Sequence, residues 1–387
     1  ISESFFNGYR GSVNSFFDVN AYNSFNSSFT ASGRTKPYNK TETSFYTEFG
    51  EETDTTIHSV EKTDRTIKIE WTTDYTKKFK KNEDRQLTIA FQIGGRINDG
   101  NITINDFKAP KLLNQNDEKV IEETFQIDYI HPFGGKKRSK ENKVTKDWGS
   151  RKERRGNKSS NLNYNNIIEI GAKIINRDRE MIYSDMDGNT YTFSDAFMYQ
   201  QLVYSSYIST EFSLIKGFGI KTGIRYENTN TKGNWLNYSN NPFRKNYTNL
   251  LPSIIISKSF SPLQSIKFSY NKRITRPSIR EINTNTDKLD NNSITIGNPD
   301  LDPRLTEKYE IGLNRFSRLV QISLQLYHKY STNIIESFLL EIDENGNSIS
   351  EYRNIGESKQ NGLGFFGSIN LNKITSRSGF NIYSYSG

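Results

Sequence analysis

The sequence predicts an all-β protein: a transmembrane antiparallel β-barrel of up-and-down strands, with long loops at one end and short turns at the other. Three observations predict it. Apolar residues recur at every second position in one short segment after another, the period of a strand whose two faces meet different environments. Only 33% of the 387 residues are hydrophobic while 13% are aromatic. That is too aromatic for a disordered chain and too poor in aliphatics for a soluble core, but it fits a wall whose alternate residues face lipid. The connections, finally, alternate between terse and long.

Taken in chain order, the strand faces are Ile67, Ile69 and Trp71; Leu87, Ile89, Phe91 and Ile93; and Phe125, Ile127 and Tyr129. In Gly217 to Glu227, Phe218, Ile220, Ile224 and Tyr226 oppose Lys221, Arg225 and Glu227. In Ser265 to Asn271, Ile266, Phe268 and Tyr270 oppose Ser265, Lys267 and Ser269. Tyr309, Ile311 and Leu313 oppose Lys308, Glu310, Gly312 and Asn314, and Val320, Ile322, Leu324 and Leu326 oppose Gln321, Ser323 and Gln325. Roughly 14 to 16 such strands fit at about ten residues each. No segment reads as a convincing amphipathic helix, and none approaches the ~18 consecutive apolar residues of a membrane helix. There is no cysteine, hence no disulfide framework or thiol chemistry.

Short connections fall near Lys216, Pro262, Ser317 and Ser376. Long ones run from Arg96 to Glu122, Arg177 to Phe197, Thr229 to Asn246, Arg273 to Thr306 and Thr332 to Lys359. In outer-membrane barrels the short turns are periplasmic and the long loops face outside. That parity places a basic insertion, residues 133–160, on the periplasmic side. The insertion holds eleven Lys/Arg against three Asp/Glu, equal to the whole net charge of +8, so no basic face is spread over the fold and nucleic acid is not expected. A charge run of this kind reads first as a solvated loop. Lys136, Lys137, Arg138, Arg154 and Arg155 are its candidates for contact with an acidic periplasmic partner, anionic lipid or cell-wall polymer.

In the stretch GNPDLDPRLTEKYEIGLN, Gly297 to Asn314, the two prolines exclude strand or helix until the alternation begins. The segments YNKRITRPSIREIN (Tyr270 to Asn283), GNPDLDPRLTEKYEIGL (Gly297 to Leu313) and YRNIGESKQNGLGF (Tyr352 to Phe365) resemble, in order and spacing, the C-terminal barrel of TonB-dependent outer-membrane receptors, of the type common in Bacteroidetes. DYIHPF followed by IIEIGAKIINRDR, and GIKTGIRYENTNTKGN followed by YTNLLPSIIISKS, extend the resemblance over most of residues 120 to 370.

The resemblance implies a barrel in the outer membrane of a Gram-negative bacterium. It would do no covalent chemistry and would take up a scarce solute, bound at outer loops and released through the lumen. It also implies outer-membrane lipid as surroundings, a TonB-type energising protein reached through an N-terminal segment, and a surface lipoprotein or other subunits as partners. A plug domain and a TonB box are not visible, so residues 1–387 are expected to be a partial barrel, one of about 22 strands when complete. A structural subunit of an outer-membrane assembly is the alternative. Arg273, Arg276 and Pro277 would leave a strand at the outer rim. Asn298, Pro299, Asp302 and Pro303 would end an outer loop and set the course of the next strand. Asn354 and Gly356 belong to the third motif. Trp235, Tyr238 and Phe243 are candidates for stacking on a planar ligand.

The three histidines, His58, His131 and His328, have no metal-ligand spacing. Asp128 and His131 fall on opposite faces, which argues against a catalytic dyad. SDMDGNTYTF (Ser184 to Phe193) and EIDENGNSIS (Glu341 to Ser350) resemble halves of a calcium loop but lack its twelfth-position glutamate. Tight turns explain Asp187-Gly188 and Asn345-Gly346 equally well, so no cofactor is expected.

Overall fold

A computed structural model describes residues 2–4, 6–48, 51–106, 112–134, 166–187, 190–214, 217–236, 242–284, 287–290, 293–344, 348–371 and 374–386. The strands are β1 (Ser2–Ser4), β2 (Asn7–Asn20), β3 (Asn23–Glu48), β4 (Glu51–Phe79), β5 (Asn82–Asp106), β6 (Leu112–Phe133), β7 (Asn166–Asp187), β8 (Thr190–Ser213), β9 (Phe218–Trp235), β10 (Phe243–Ser261), β11 (Gln264–Thr275), β12 (Asp287–Asp290), β13 (Ser293–Ile296), β14 (Arg304–Phe316), β15 (Val320–Thr332), β16 (Ile335–Ile342), β17 (Ser348–Asn354), β18 (Glu357–Leu371) and β19 (Ile374–Ser386). A single helical turn, α1, spans Ile279–Ile282. Fifteen strands form one antiparallel sheet in chain order, with β1 and β2 both on the free side of β3; β12, β13, β17 and β16 form a second, small sheet. Among the described residues no pairing joins β19 back to β1 or β2, so this sheet is open.

The register turns the sequence alternation into rows across the wall. Ile256 pairs with Phe268, Phe268 with Ile311, Ile311 with Leu326, Leu326 with Leu363, and Leu363 with Ile382. One residue along, Ser257, Lys267, Gly312, Gln325, Gly364 and Asn381 make a polar row on the other face. A one-residue slip would exchange the two rows, so the pattern specifies the register. The apolar row continues the same way in the first half, where Leu87, Tyr129, Ile170, Ile208 and Ile224 are cross-strand neighbours. Ile69, Trp71, Phe125, Ile170, Ile208, Ile311 and Ile382 are all exposed on this face. Such an apolar belt is what a membrane-facing wall needs and a water-facing one avoids. Near its rim, Tyr270 and Tyr309 pack with ring centroids 4.8 Å apart and His328 lies 6.3 Å from Tyr309. His328 sits within β15.

Two of the short turns fall as expected, at Pro262-Leu263 and Ser317 to Leu319; Lys216 lies outside the described residues, and Ser376 is in β19, paired with Ile369. The long connections differ from expectation. Arg96 to Glu122, Arg177 to Phe197 and Thr229 to Asn246 are mostly strand: Arg96 pairs with Val120 and Ile104 with Leu112, Asp187 pairs with Thr190, and Gly233 with Phe243. The hairpins rise past the apolar belt as β-ribbons, and β3 to β8 reach 22 to 29 residues. About ten residues suffice to cross a membrane. Above the belt, in stretches such as Asn98 to Asn101, both faces of the ribbon are polar, which removes the alternation of hydropathy while leaving the backbone ladder intact. The remaining two long connections do leave the wall and carry structure of their own, including α1. Residues 135–160 of the basic insertion lie outside the described residues.

Candidate functional site

The connection from β11 to β14, residues 276–303, folds onto the polar face of β8, β9 and β10. Ser278 and Glu281 form a capping box around α1: the Ser278 hydroxyl accepts from the Glu281 amide at 3.4 Å, and the Glu281 carboxylate accepts from the Ser278 amide at 2.6 Å. The turn aims Ile279 and Ile282 at the wall, where they meet Phe197, Tyr199 and Trp235. Phe197 is 0% and Trp235 5% exposed, with rings stacked at 4.7 Å, and Phe243 lies 6.4 Å from Phe197. The Trp235 indole donates to Asn283 Oδ1 at 3.0 Å. Burial of side chains of this size contributes about 1.5 to 3 kcal/mol each, so this cluster is what holds the loop down.

Below the cluster, Arg276 reaches back to the wall. Its guanidinium ion-pairs with Glu227, which is 7% exposed, and donates to Thr229 Oγ1 at 3.0 and 3.2 Å. Arg225 reaches the second Glu227 oxygen at 3.0 Å. Two cations on one buried carboxylate offset the cost of taking that charge out of water. Higher on the same polar face, Arg96 and Asn98 converge on Glu118, and Arg177 links Glu122 to Gln201. Beyond the apolar belt, burial pushes the Tyr199 phenol above its ordinary value and works against the charge on Arg179. The wall therefore presents a polar, charge-paired surface opposite the apolar belt.

The second loop, residues 333–356, is tied to the first. Asn354 accepts from the Asp302 amide at 2.7 Å and donates to the carbonyls of Asp302 and Asn333 at 3.0 and 3.1 Å. Lys245 of β10 meets Asp302 at 2.8 Å and the Asp300 carbonyl at 2.6 Å. The Asn298 amide donates to the Glu281 carbonyl at 2.7 Å, and Pro277, Leu301 and Pro303 are buried. β13 and β17 pair in parallel, Ser293 with Ser348 through Ile296 with Glu351, so the two loops share one sheet.

Of the residues singled out in the sequence, the structure thus brings Arg276, Pro277, Asn298, Asp302, Pro303 and Asn354 into one assembly over the polar face. Pro299 lies in its turn, Arg273 is exposed in β11 opposite Thr306, and Gly356 holds φ +94 at the base of the second loop. Trp235 faces inward with both neighbours in place, Phe243 is half-buried against the same cluster, and Tyr238 lies outside the described residues. Phe197, Glu227 and Lys245, which complete the assembly, carry no sequence signature. The Ser278-x-x-Glu281 box, with Ile279 inside it and Ile282 just after, was the signal available for α1. Asp128 accepts from Tyr207 and Gln126, while His131 meets Tyr129, so the pair is separated by the wall. Among the described residues no group of three or more His, Asp and Glu could hold a metal ion, and the turns of both calcium-like segments lie outside them.

A family model described as the outer membrane protein beta-barrel family matches residues 153–387. A comparison with curated proteins finds no match. Among solved structures, the chain is similar to the siderophore receptor PirA from Pseudomonas aeruginosa (11% identity, TM-score 0.57, covering 98% of this chain and 63% of that one). It is also similar to the copper transporter OprC (10%, 0.56, 98% and 60%) and to the alcaligin receptor FauA from Bordetella pertussis (13%, 0.52, 100% and 60%). At such identity the likeness is one of fold, that of an outer-membrane receptor barrel. The chain spans about three fifths of the length of these solved structures.

Proposed function

Since this chain belongs to the outer membrane protein beta-barrel family, we propose that it forms much of the wall of a TonB-dependent receptor that takes up a scarce solute across the outer membrane of a Gram-negative bacterium. The observation that carries the reading is the two-faced wall: an apolar belt on one face, and on the other a polar surface roofed by loops from the outer end. Solute would bind under the roof of residues 276–303 and 333–356 and leave through the lumen, with no covalent chemistry. Energy would come from a TonB-type partner acting through a segment outside this chain. The solved barrels of like fold are named for alcaligin, siderophores and copper, so a scarce metal or its chelate is the solute class to try first.

The test is metal accumulation by metal-starved cells that express or lack the intact protein, with and without an uncoupler of the proton-motive force. Accumulation that requires the protein and stops with the uncoupler supports receptor function. Equal accumulation in cells lacking it, across iron and copper chelates, sinks that solute class.

A further inference from the structure

At the short-turn end of the wall, the β4–β5 hairpin gathers cations on aromatic rings. Lys77 lies 5.8 Å and Arg85 5.1 Å from the centre of the Phe79 ring, Arg85 lies 5.8 Å from that of Tyr129, and Lys80, in the turn itself, lies 5.8 Å from that of Tyr22. The register fixes the face: Lys77 pairs with Leu87 and Leu87 with Tyr129, all in the apolar row. Arg85 and His131 follow two residues further toward the edge. Asp84 falls on the opposite face by alternation.

Arg85 is oriented as well as placed. Its Nε donates to the Tyr129 hydroxyl at 2.6 Å, and that hydroxyl stands 3.2 Å from His131 Nδ1. With Nε committed, the two terminal nitrogens hydrogen-bond to no described residue. Among the described residues none of Lys77, Lys80 and Arg85 forms an ion pair with a carboxylate. The charged ends of all three lie over rings at the border of a lipid-facing belt, where lipid headgroups stand. A guanidinium fork in the same hairpin as two ammonium groups suits a phosphodiester, which accepts two parallel hydrogen bonds from such a fork. Elsewhere on the same border Lys258 repeats the arrangement, 4.1 Å from the centre of the Phe218 ring.

We propose that Lys77, Lys80 and Arg85 form a binding site for the phosphate headgroup of an anionic phospholipid in the periplasmic leaflet. The site rests on the assignment of the short turns to the periplasmic side, which the reading above shares. Its work is to hold the wall at a fixed depth and rotation, using one lipid class rather than the bilayer as a whole.

The experiment is native mass spectrometry of the intact protein in detergent, offered phosphatidylglycerol or phosphatidylcholine. The wild type should retain phosphatidylglycerol in preference. Lys77→Gln, Lys80→Gln and Arg85→Gln together should weaken that retention by roughly fivefold for each charge removed, while Lys221→Gln, on the polar face, should not. Should the triple variant not fold, judged by heat-dependent gel migration, Lys80→Gln alone in the turn decides, with roughly a fivefold loss expected. Equal retention of the two lipids by the wild type, unchanged retention in the variants, or displacement by millimolar inorganic phosphate would overturn the proposal. A separate readout tests sidedness: this chain has no cysteine of its own, so Lys80→Cys is the one labelled position within it, read against the same protein without that change. Labelling by an impermeant maleimide from outside intact cells would overturn the periplasmic assignment, whatever the lipid measurement says about binding.

Discussion

The two outer loops over the polar face are built from similar residues and come to different ends. Residues 276–303 spring from β11 and β14, strands of 12 and 13 residues, but lean on the taller β9 and β10, of 18 and 19 residues. There they bury Ile279, Ile282, Leu301, Pro277 and Pro303. Residues 333–356 have no such wall beside them. Phe338, Leu339, Leu340 and Ile342 in β16 are all exposed, and both stems of the loop hold positive φ, +55 at Asn333 and +94 at Gly356. The first loop is bolted by packing; the second hangs from two backbone joints and is held by hydrogen bonds. What decides between them is the height of the neighbouring strands, not the composition of the loop.

This contrast can be broken from the bolted side first. Trp235→Ala removes the ring on which Phe197 and the α1 isoleucines pack, at a cost of about 3 to 5 kcal/mol. Hydrogen exchange at Ile279–Asn283 should accelerate strongly, while the wall beneath keeps its protection. Arg276→Ala leaves Glu227 buried with Arg225 as its remaining cation. The expected cost is about 3 kcal/mol, and Arg276→Ala with Glu227→Gln should recover part of it in a double-mutant cycle read by protease resistance of the loop.

The hinged side gives smaller effects. Asn354→Ala deletes three hydrogen bonds to Asp302 and Asn333 and should cost about 1 to 2 kcal/mol. Exchange should quicken within Ile335–Asn354 and stay unchanged at α1; equal loss in both loops would show that they form one unit. Lys245→Gln should be smallest, about 0.5 kcal/mol, because its partner Asp302 is exposed and the pair is screened by salt. A larger loss would mean that this ion pair, rather than packing, seats the first loop.

The sequence made the wall legible wherever lipid imposes a contrast. Tyr309, Ile311 and Leu313 against Lys308 and Glu310 gave both the strand and its faces, and the parity of connections gave the two ends. It misled above the belt. Asn98 and Asn101, and Asn114 to Asp117, are polar on both faces, so hydropathy could not show that they continue the ladder. The roof was legible only in part. Its prolines and its capping box are local signals, whereas the meeting of Phe197, Trp235 and Ile279 depends on three separate hairpins reaching the same height. Trp235 alone reads as a rim aromatic, because nothing near it in sequence announces the residues that cover it.

The parallel pairing of β13 with β17 has a consequence for the order of assembly. Parallel strands cannot be joined by a tight hairpin, and here the whole β14–β15 hairpin lies between the partners. Their ladder recovers its loop-closure entropy only once that hairpin stands in the wall. The sheet shared by the two loops is therefore a late event in folding, and a chain whose wall is mis-registered at β14 or β15 cannot join them. Surface display of the closed roof thus reports that the strands beneath it were laid down correctly.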